Sequence, residues 1–287
     1  MERLRYWLSG EWVAERSLPV GEGARDATNW VTANLGSAFD ALSDSLEWVI
    51  DRFLWLLETP PPLVVIVLFA ALAYALRRSV AVALFTLLGL LLILNLGYWE
   101  ETVETLALVI AATLACMVIG VPLGIAAARR QWVYTVLRPV LDLMQTIPTF
   151  VYLIPALILF GLGMVPGLVA TVIFALPAPI RLTRLGIALT PPALREAAEA
   201  FGASSWQRLV KVELPHARPQ IMAGLTQCIM LSLSMVVIAA LVGADGLGKP
   251  VVRALNTVNI GQGFEAGLAI VILAIVLDRL FKTDAKA

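Results

Sequence analysis

From about residue 60 onward, the sequence consists of long apolar blocks separated by short polar connections. The apolar residues follow neither the period of a half-buried strand nor that of a surface helix. Blocks of about 20 residues have the length of a helix that crosses the hydrocarbon core of a bilayer. We predict membrane spans at about 60–76, 79–97, 103–127, 134–160, 165–187, 219–243 and 264–281. The predicted fold class is an all-α polytopic membrane protein with about seven spans.

The basic residues of the connections indicate how these spans are oriented. Alternate connections, counted with the adjoining span ends and the C-terminal tail, contain 14 lysines and arginines, whereas the connections between them contain 2. The first block ends at Arg77 and Arg78, because two adjacent arginines inside the bilayer would be costly. We therefore predict an N-terminus outside, a C-terminus in the cytoplasm and a cytoplasmic segment at 181–218.

Residues 1–59 are predicted to form an extracytoplasmic tail, and residues 60–287 to form the transmembrane domain. Apolar residues of the tail repeat at steps of three and four, as on one face of an amphipathic helix. They are Val31, Leu35, Phe39, Leu42, Leu46, Ile50, Phe53 and Leu57. Trp30, Trp48 and Trp55 are typical of a helix at the membrane interface. We interpret this helix as a surface anchor, with a docking or gating helix as the alternative.

Ionisable residues are scarce inside the predicted spans. Transporters that use ion gradients usually keep such a residue deep in the membrane. Asp142 is the exception here, and Arg138 one turn earlier predicts an i,i+4 ion pair rather than a proton relay. The net charge of zero gives no indication of nucleic-acid binding. Cys116 and Cys228 are predicted to be small buried side chains.

One motif has the spacing of a nucleotide-binding loop but not its other requirements. GADGLGKP, at 243–250, has Pro250 in place of the serine or threonine that would bind magnesium. No strand is predicted before it, and the predicted orientation places it outside the cell. We therefore predict that its glycines form turns. The sequence also lacks a catalytic triad and metal-ligand spacing, so we predict a non-catalytic chain without cofactor or metal.

A charged insert at 188–218 interrupts the apolar pattern. Thr190 is predicted to cap a short helix whose first turn contains Pro191 and Pro192. Gly202 is predicted to stop that helix, since glycine favours the position after a helix C-terminus.

A second short helix is predicted to follow at once. Ser204 and Gln207 have the spacing of a capping box that starts it. Pro215 is predicted to end it, and Pro219 to begin the sixth span. On composition alone, two interpretations stay open: a rigid elbow that binds a partner protein, or an ordinary cytoplasmic loop.

The insert resembles the EAA signature of ABC importer permeases, which reads E-A-A-x3-G-x9-I-x-L-P. The matching residues are Glu196, Ala197, Ala198, Gly202, Leu214 and Pro215, with Val212 in place of isoleucine. This resemblance implies the type I importer permease fold and a coupling helix that binds in a groove of an ATPase subunit. It implies that Glu196, Ala197, Ala198 and Gly202 form the docking elbow. ATP and magnesium would then bind to the partner subunit.

Residues 60–281 more widely resemble the permeases of glycine betaine, proline betaine and choline importers. The stretches that carry the resemblance are LDLMQTIPTFVYLIPALILFGLG, IFALPAPIRLTRLGI, MAGLTQCIMLSLSMVVIAALVGADGLG and AIVILAIVLDRL. The family implies a bacterial inner-membrane complex of two such chains in lipid, two ATPase subunits and a separate periplasmic or lipid-anchored binding protein. Trimethylamine N-oxide, an amino acid or a sulfonate are alternative cargoes. A stand-alone secondary transporter or channel is the alternative of another class.

Polar and aromatic residues of two spans are predicted to line the substrate pathway. They are Gln145, Thr146, Thr149, Phe150 and Tyr152 in the fourth span, with Gln227, Ser232 and Ser234 in the sixth. Phe150 and Tyr152 would attract a quaternary ammonium group by cation–π interaction, and packing between helices is their other interpretation. Pro148 and Pro155 are predicted to bend the fourth span.

Overall fold

The computed structural model describes residues 19–282, and contacts divide the chain into two units at Leu42 and Ser43. Helix α1 (Val20–Glu58) begins in the first unit, where the described side chains are mostly exposed. The predicted apolar stripe lies on this helix. Its place in a membrane interface and the domain boundary at residue 59 stay predictions. The part of the predicted tail at 1–18 lies outside the described residues.

The second unit is built of helices, and no strand occurs between residues 19 and 282. Its helices are α2 (Pro62–Arg77), α3 (Val80–Asn95), α4 (Trp99–Arg129), α5 (Gln131–Thr146), α6 (Thr149–Phe160), α7 (Met164–Ala175), α8 (Pro177–Ala188), α9 (Pro192–Ala200), α10 (Ser205–Arg208), α11 (Leu214–Ala239), α12 (Gly248–Thr257) and α13 (Ile260–Phe281). A π-helical turn, Leu209–Glu213, joins α10 to α11. The all-α fold class is confirmed.

The seven predicted spans correspond to helices of unequal length. Four stretches are long and apolar enough to cross a membrane, namely Trp99–Arg129, Met164–Ala188, Ser205–Val242 and Ile260–Phe281. The number rises to 6 if each of two bent helix pairs is one span. Helix α3 has 16 residues. That length gives about 24 Å of helix, less than the hydrocarbon thickness of about 30 Å.

The fourth predicted span is broken. Helices α5 and α6 meet at 99°. Between them, Ile147 has an extended ψ of 130°, because the ring of Pro148 disfavours a helical conformation in the residue before it. The bend predicted at Pro148 is therefore a complete break of the helix. Pro155 lies within α6.

Helix α8 packs against both α4 and α11, and glycines line these contacts. They are Gly120, Gly124, Gly186 and Gly224. A Cβ atom added to Gly124 would lie 2.6 Å from Cβ of Thr183, and one added to Gly186 would lie 2.9 Å from Cβ of Ala217. Small residues let helix backbones approach closely in a bilayer, where packing rather than the hydrophobic effect holds helices together. We call α4, α8 and α11 the central stack.

Several other helices share apolar clusters with members of the central stack. Helices α2, α3 and α13 share an apolar core with α4, in which Ile66, Leu90, Leu106 and Leu273 are fully buried. The C-terminal part of α1 adds Ile50 to a second cluster. Cys116 and Cys228 are free and buried together with Ala175, as predicted.

We expect Gly124→Ala to lower the melting temperature of the purified protein in detergent. The added methyl group would overlap Thr183 and the carbonyl of Ile180, and such overpacking costs about 1–3 kcal/mol. Gly267→Ala is the matched control, because a Cβ there meets no atom within 4 Å. A Gly124→Ala variant as stable as the Gly267→Ala variant would contradict the close contact between α4 and α8.

Candidate functional site

The charged insert folds into two short helices, α9 and α10, and we call residues 192–208 the elbow. The prediction that Thr190 caps the first helix is wrong. Pro191 occupies the cap position without a side-chain hydrogen bond. A side-chain cap is less needed here, because Pro192 in the first turn has no N–H group to satisfy. Arg195 instead ties the elbow to the preceding chain, donating to the carbonyls of Ala188 and Thr190 at 3.1 and 2.8 Å.

Gly202 ends α9 as predicted. Its φ of +74° is a left-handed conformation that favours glycine. Its N–H donates to the carbonyl of Glu199 at 2.9 Å, and the N–H of Ala203 donates to that of Ala198 at 3.0 Å. These two bonds form a Schellman motif, which satisfies the last carbonyls of the helix.

The capping box is also confirmed. Ser204 Oγ accepts from the N–H of Gln207 at 3.3 Å, and Gln207 Oε1 accepts from the N–H of Ser204 at 2.8 Å. The prediction that Pro215 ends the second helix is wrong, and so is a sixth span beginning at Pro219. Pro215 lies in the first turn of α11 and Pro219 inside that helix. The π turn widens the hydrogen-bond spacing just before Pro215. The N–H that Pro215 lacks therefore falls where the regular i→i−4 hydrogen bonds of the helix are already interrupted.

The elbow exposes apolar side chains. Phe201 at the turn is 91% exposed and Trp206 in α10 is 69% exposed. No residue of α9 is buried. The elbow therefore offers apolar side chains and a backbone of defined conformation to a partner.

Ion pairs join the elbow to the long helices. Arg208 of α10 pairs with Glu199 of α9 and, at 3.2 Å, with Glu213 of the π turn. Glu213 also lies 3.7 Å from Arg129, the last residue of α4. Arg129 donates to the carbonyl of Ser205 at 2.5 Å. We call Glu199, Arg208, Glu213 and Arg129 the root network.

The predicted coupling residues fall in two places. Glu196, Ala197, Ala198 and Gly202 lie together on the elbow, whereas Leu214 and Pro215 lie beyond the π turn at the start of α11. Sequence reasoning missed the root network. A usable signal was the position of Glu213, four residues after Leu209 and four before Ala217, on an apolar helical face. A carboxylate in such a place is rarely buried without a partner.

The predicted pathway residues of the fourth span surround the break between α5 and α6. Tyr152 is 9% exposed, and its hydroxyl donates to the carbonyls of Leu143 and Met144 at 3.2 and 2.6 Å. The carbonyl of Leu143 also accepts from the N–H of Ile147 at 3.1 Å. The carbonyl of Met144 has no such helical partner, because Pro148 lacks an N–H, so Tyr152 supplies its donor. Phe150 is 56% exposed, so its ring remains open to contact.

Gln145 has a charged hydrogen-bond partner on α8. Arg181 of α8 donates to Gln145 Oε1 at 2.6 Å and to Asp142 Oδ1 at 2.7 Å. The predicted pair of Arg138 with Asp142 is present at 3.9 Å, but the shorter bond is to Arg181. The break in the fourth span is thus held to the central stack by charge.

The predicted pathway residues of α11 lie on different faces. Gln227 and Ser234 are exposed, whereas Ser232 is fully buried. Gln227 lines a cavity of about 430 Å³ together with Thr226, Met230, Asp278, Lys282 and others. Thr146 is exposed and Thr149 half-buried. Gln227 and Ser234 are therefore exposed on α11, whereas Ser232 is not.

The glycine-rich loop at 243–250 serves packing. The N–H of Leu247 donates to Thr105 Oγ1 at 2.9 Å, and Lys249 pairs with Asp245. A Cβ on Gly248 would lie 2.3 Å from the carbonyl oxygen of Val236. Within residues 19–282, no cluster of three or more His, Cys, Asp or Glu side chains is arranged to hold a metal ion.

The sequence matches known transport proteins. Residues 120–282 match the family described as "Binding-protein-dependent transport system inner membrane component". The chain is 48% identical to the glycine betaine transport system permease protein OpuAB of Bacillus subtilis (strain 168), over 92% of this chain and 93% of that protein. It is 45% identical to the glycine betaine/proline betaine transport system permease protein ProW of Escherichia coli (strain K12), over 92% of this chain and 74% of that protein.

A solved structure is also similar. A chain of the MetNI methionine ABC transporter, in an inward-facing conformation, matches with a TM-score of 0.56 and 23% identity. The match covers 61% of this chain and 88% of that chain. At this identity the likeness concerns the fold alone.

We expect Tyr152→Phe to destabilise the break between α5 and α6. The variant keeps the ring but leaves the carbonyl of Met144 without the donor that Tyr152 provides, at a cost of about 1–3 kcal/mol. Thermal unfolding in detergent would measure the loss. Tyr74→Phe, at an exposed position of α2, is the control. Equal melting temperatures for the two variants would show that Tyr152 does not support the break.

Proposed function

Because the chain belongs to the family of binding-protein-dependent transport system inner membrane components, we propose that it is the permease subunit of an ABC importer for glycine betaine or a closely related quaternary ammonium compound. Proline betaine and choline are the other substrates of this class. The observation that carries the proposal is the 48% identity to a glycine betaine permease over 92% of the chain.

The elbow is the proposed binding site for a separate ATPase subunit, which binds ATP and magnesium and performs the hydrolysis. Phe201 and Trp206 give it exposed aromatic anchors, the residue types that dominate protein interfaces. Ala197 and Ala198 leave room for the partner surface to approach. The Schellman turn at Gly202 and the capping box make the elbow rigid, so that little ordering is needed on binding.

The end of the bundle that carries the elbow faces the cytoplasm in this proposal. It is the end predicted to be rich in basic residues. The family description and the apolar helices support the bacterial inner membrane as the location. The opposite end, with the connection at 244–263, would receive substrate from a periplasmic or lipid-anchored binding protein.

A second copy of the chain completes the pathway. Gln227 and Ser234 are exposed on α11, and polar side chains that face lipid are costly. A water-filled path between two copies would solvate them. Phe150, exposed near the break in the fourth span, is the proposed cation–π partner for the trimethylammonium group. Tyr152 has a structural role instead.

Glu196→Lys and Gly202→Val are each expected to abolish uptake while the protein remains in the membrane. The first reverses a charge on the exposed face of α9. The second places a β-branched residue at φ +74°, which costs about 1–3 kcal/mol. Gly202→Asn is the control, since asparagine tolerates this conformation. The measurement is co-purification of the ATPase together with substrate uptake. Wild-type uptake in both Glu196→Lys and Gly202→Val would contradict the docking role of the elbow.

The substrate is tested by uptake of labelled glycine betaine in cells with and without the gene. Competitors are unlabelled proline betaine, choline, trimethylamine N-oxide and an amino-acid mixture. We expect gene-dependent uptake that depends on ATP and is blocked by methylated amines. Inhibition by the amino-acid mixture alone would show that the substrate is an amino acid and not a methylated amine. Uptake that persists without any ATPase would favour a stand-alone transporter.

A further inference from the structure

We infer that Glu213 is a positioning residue that transmits movement of the elbow to α4 and α11. The inference rests on the proposed function, because it requires the elbow to bind an ATPase. It concerns a residue outside the docking face: Glu213 lies in the π turn, between the elbow and the first turn of α11.

The elbow has little apolar contact of its own with the spans. No residue of α9 is buried, and of α10 with its π turn only Leu209 and Glu213 are. An apolar interface between α9 and the bundle is therefore absent from the described structure. The position of α9 depends on its two chain connections, on Arg195 and on the root network.

Glu213 is the central member of the root network. It is 4% exposed, and guanidinium groups reach it from two different elements, Arg208 of α10 and Arg129 of α4. Arg208 extends the network to Glu199 on α9. Electrostatic attraction is much stronger in such a buried place than between exposed charges. The carboxylate thus links the docking helix, the second elbow helix and α4 at one point.

Arg129 connects the root network to the end of α4. It ends α4, and besides pairing with Glu213 it donates to the carbonyl of Ser205 in α10. When α10 moves, the end of α4 is therefore pulled by a charge and by a backbone hydrogen bond. Glu213 itself is followed directly by Leu214, the first residue of α11, so the same movement reaches α11 through the chain.

The surroundings of the network permit movement. A cavity of about 370 Å³ is lined by Arg129, Arg195, Arg208 and Glu213, among others. The cavity leaves space beside these charged side chains, in which they can change partners. The π turn adds a wide turn at the same place, a feature that is frequent at functional sites.

The test uses the complete complex with its ATPase, reconstituted in lipid vesicles, and compares Glu213→Gln with wild type. Glu213→Gln keeps the shape of the side chain and removes its charge. Glu47→Gln, at an exposed position of α1, is the matched control. The measured quantities are bound ATPase, ATP hydrolysis and substrate taken up per ATP hydrolysed. We expect the substrate taken up per ATP hydrolysed to fall about tenfold, as for the loss of a coupling interaction between sites. The amount of bound ATPase and the rate of ATP hydrolysis should stay at wild-type level.

Arg129→Gln should give the same loss, and it tests the network from α4 if Glu213→Gln is poorly recovered. The double variant should be no worse than either single variant, because each single change already breaks the Arg129–Glu213 pair and coupled residues are not additive. Uptake and hydrolysis that fall in proportion, or a wild-type ratio in both single variants, would refute the positioning role. A wild-type complex without ATP-dependent uptake would instead refute the proposed function, on which this role depends.

Discussion

Backbone contact between α4, α8 and α11 is the constraint on which the rest of the structure depends. At Gly120, Gly124 and Gly186 the helices approach so closely that a side chain would overlap the neighbouring helix, and at Gly224 an added Cβ would lie 3.2 Å from Cα of Pro179. Three helices in such contact cannot slide past one another without large rearrangement, since packed interiors are not continuously deformable. The elbow connects the end of α8 to the start of α11, and the root network adds the end of α4. A force on the elbow is therefore delivered to all three members of one rigid stack.

The broken fourth span is the complementary element, because Pro148 removes a backbone N–H at its break. Irregular backbone at membrane depth is tolerated only where protein or water supplies hydrogen bonds. Tyr152 supplies them for Leu143 and Met144, and Arg181 of α8 holds Asp142 and Gln145. The break is thus attached to the central stack by polar contacts rather than by packed apolar surface. Such contacts exchange partners more readily, which suits a segment beside a substrate pathway.

The sequence predicted those features that depend on local chemistry. Apolar blocks located the helices, and Gly202, Ser204 and Gln207 located the turn and the cap of the elbow, because each acts on its own neighbours in the chain. Features that depend on distant partners were missed or misplaced. Pro215 was read as a helix stop, since the π turn that accommodates it has no sequence signature. Ser232 was read as pathway lining, since the face of α11 that meets Cys116 is decided by tertiary packing. The root network joins residues 129 and 213, a separation that single-sequence reasoning does not cover.

Charge and apolar surface are divided between the two sides of the elbow, and the division has a physical reason. Its outer side presents Phe201 and Trp206, which gain free energy when a partner removes them from water. Helices α9 and α10 contain no buried residue and are held by ion pairs around Glu213, while Leu209 of the π turn packs against Ile187 and Ala217. An apolar inner contact would fix the elbow to the bundle in one arrangement, since interdigitated side chains fit in one way only. Ion pairs that border a cavity keep their attraction over small displacements, because Coulomb energy changes slowly with distance. The elbow can therefore follow its partner while it remains attached to α4 and α11.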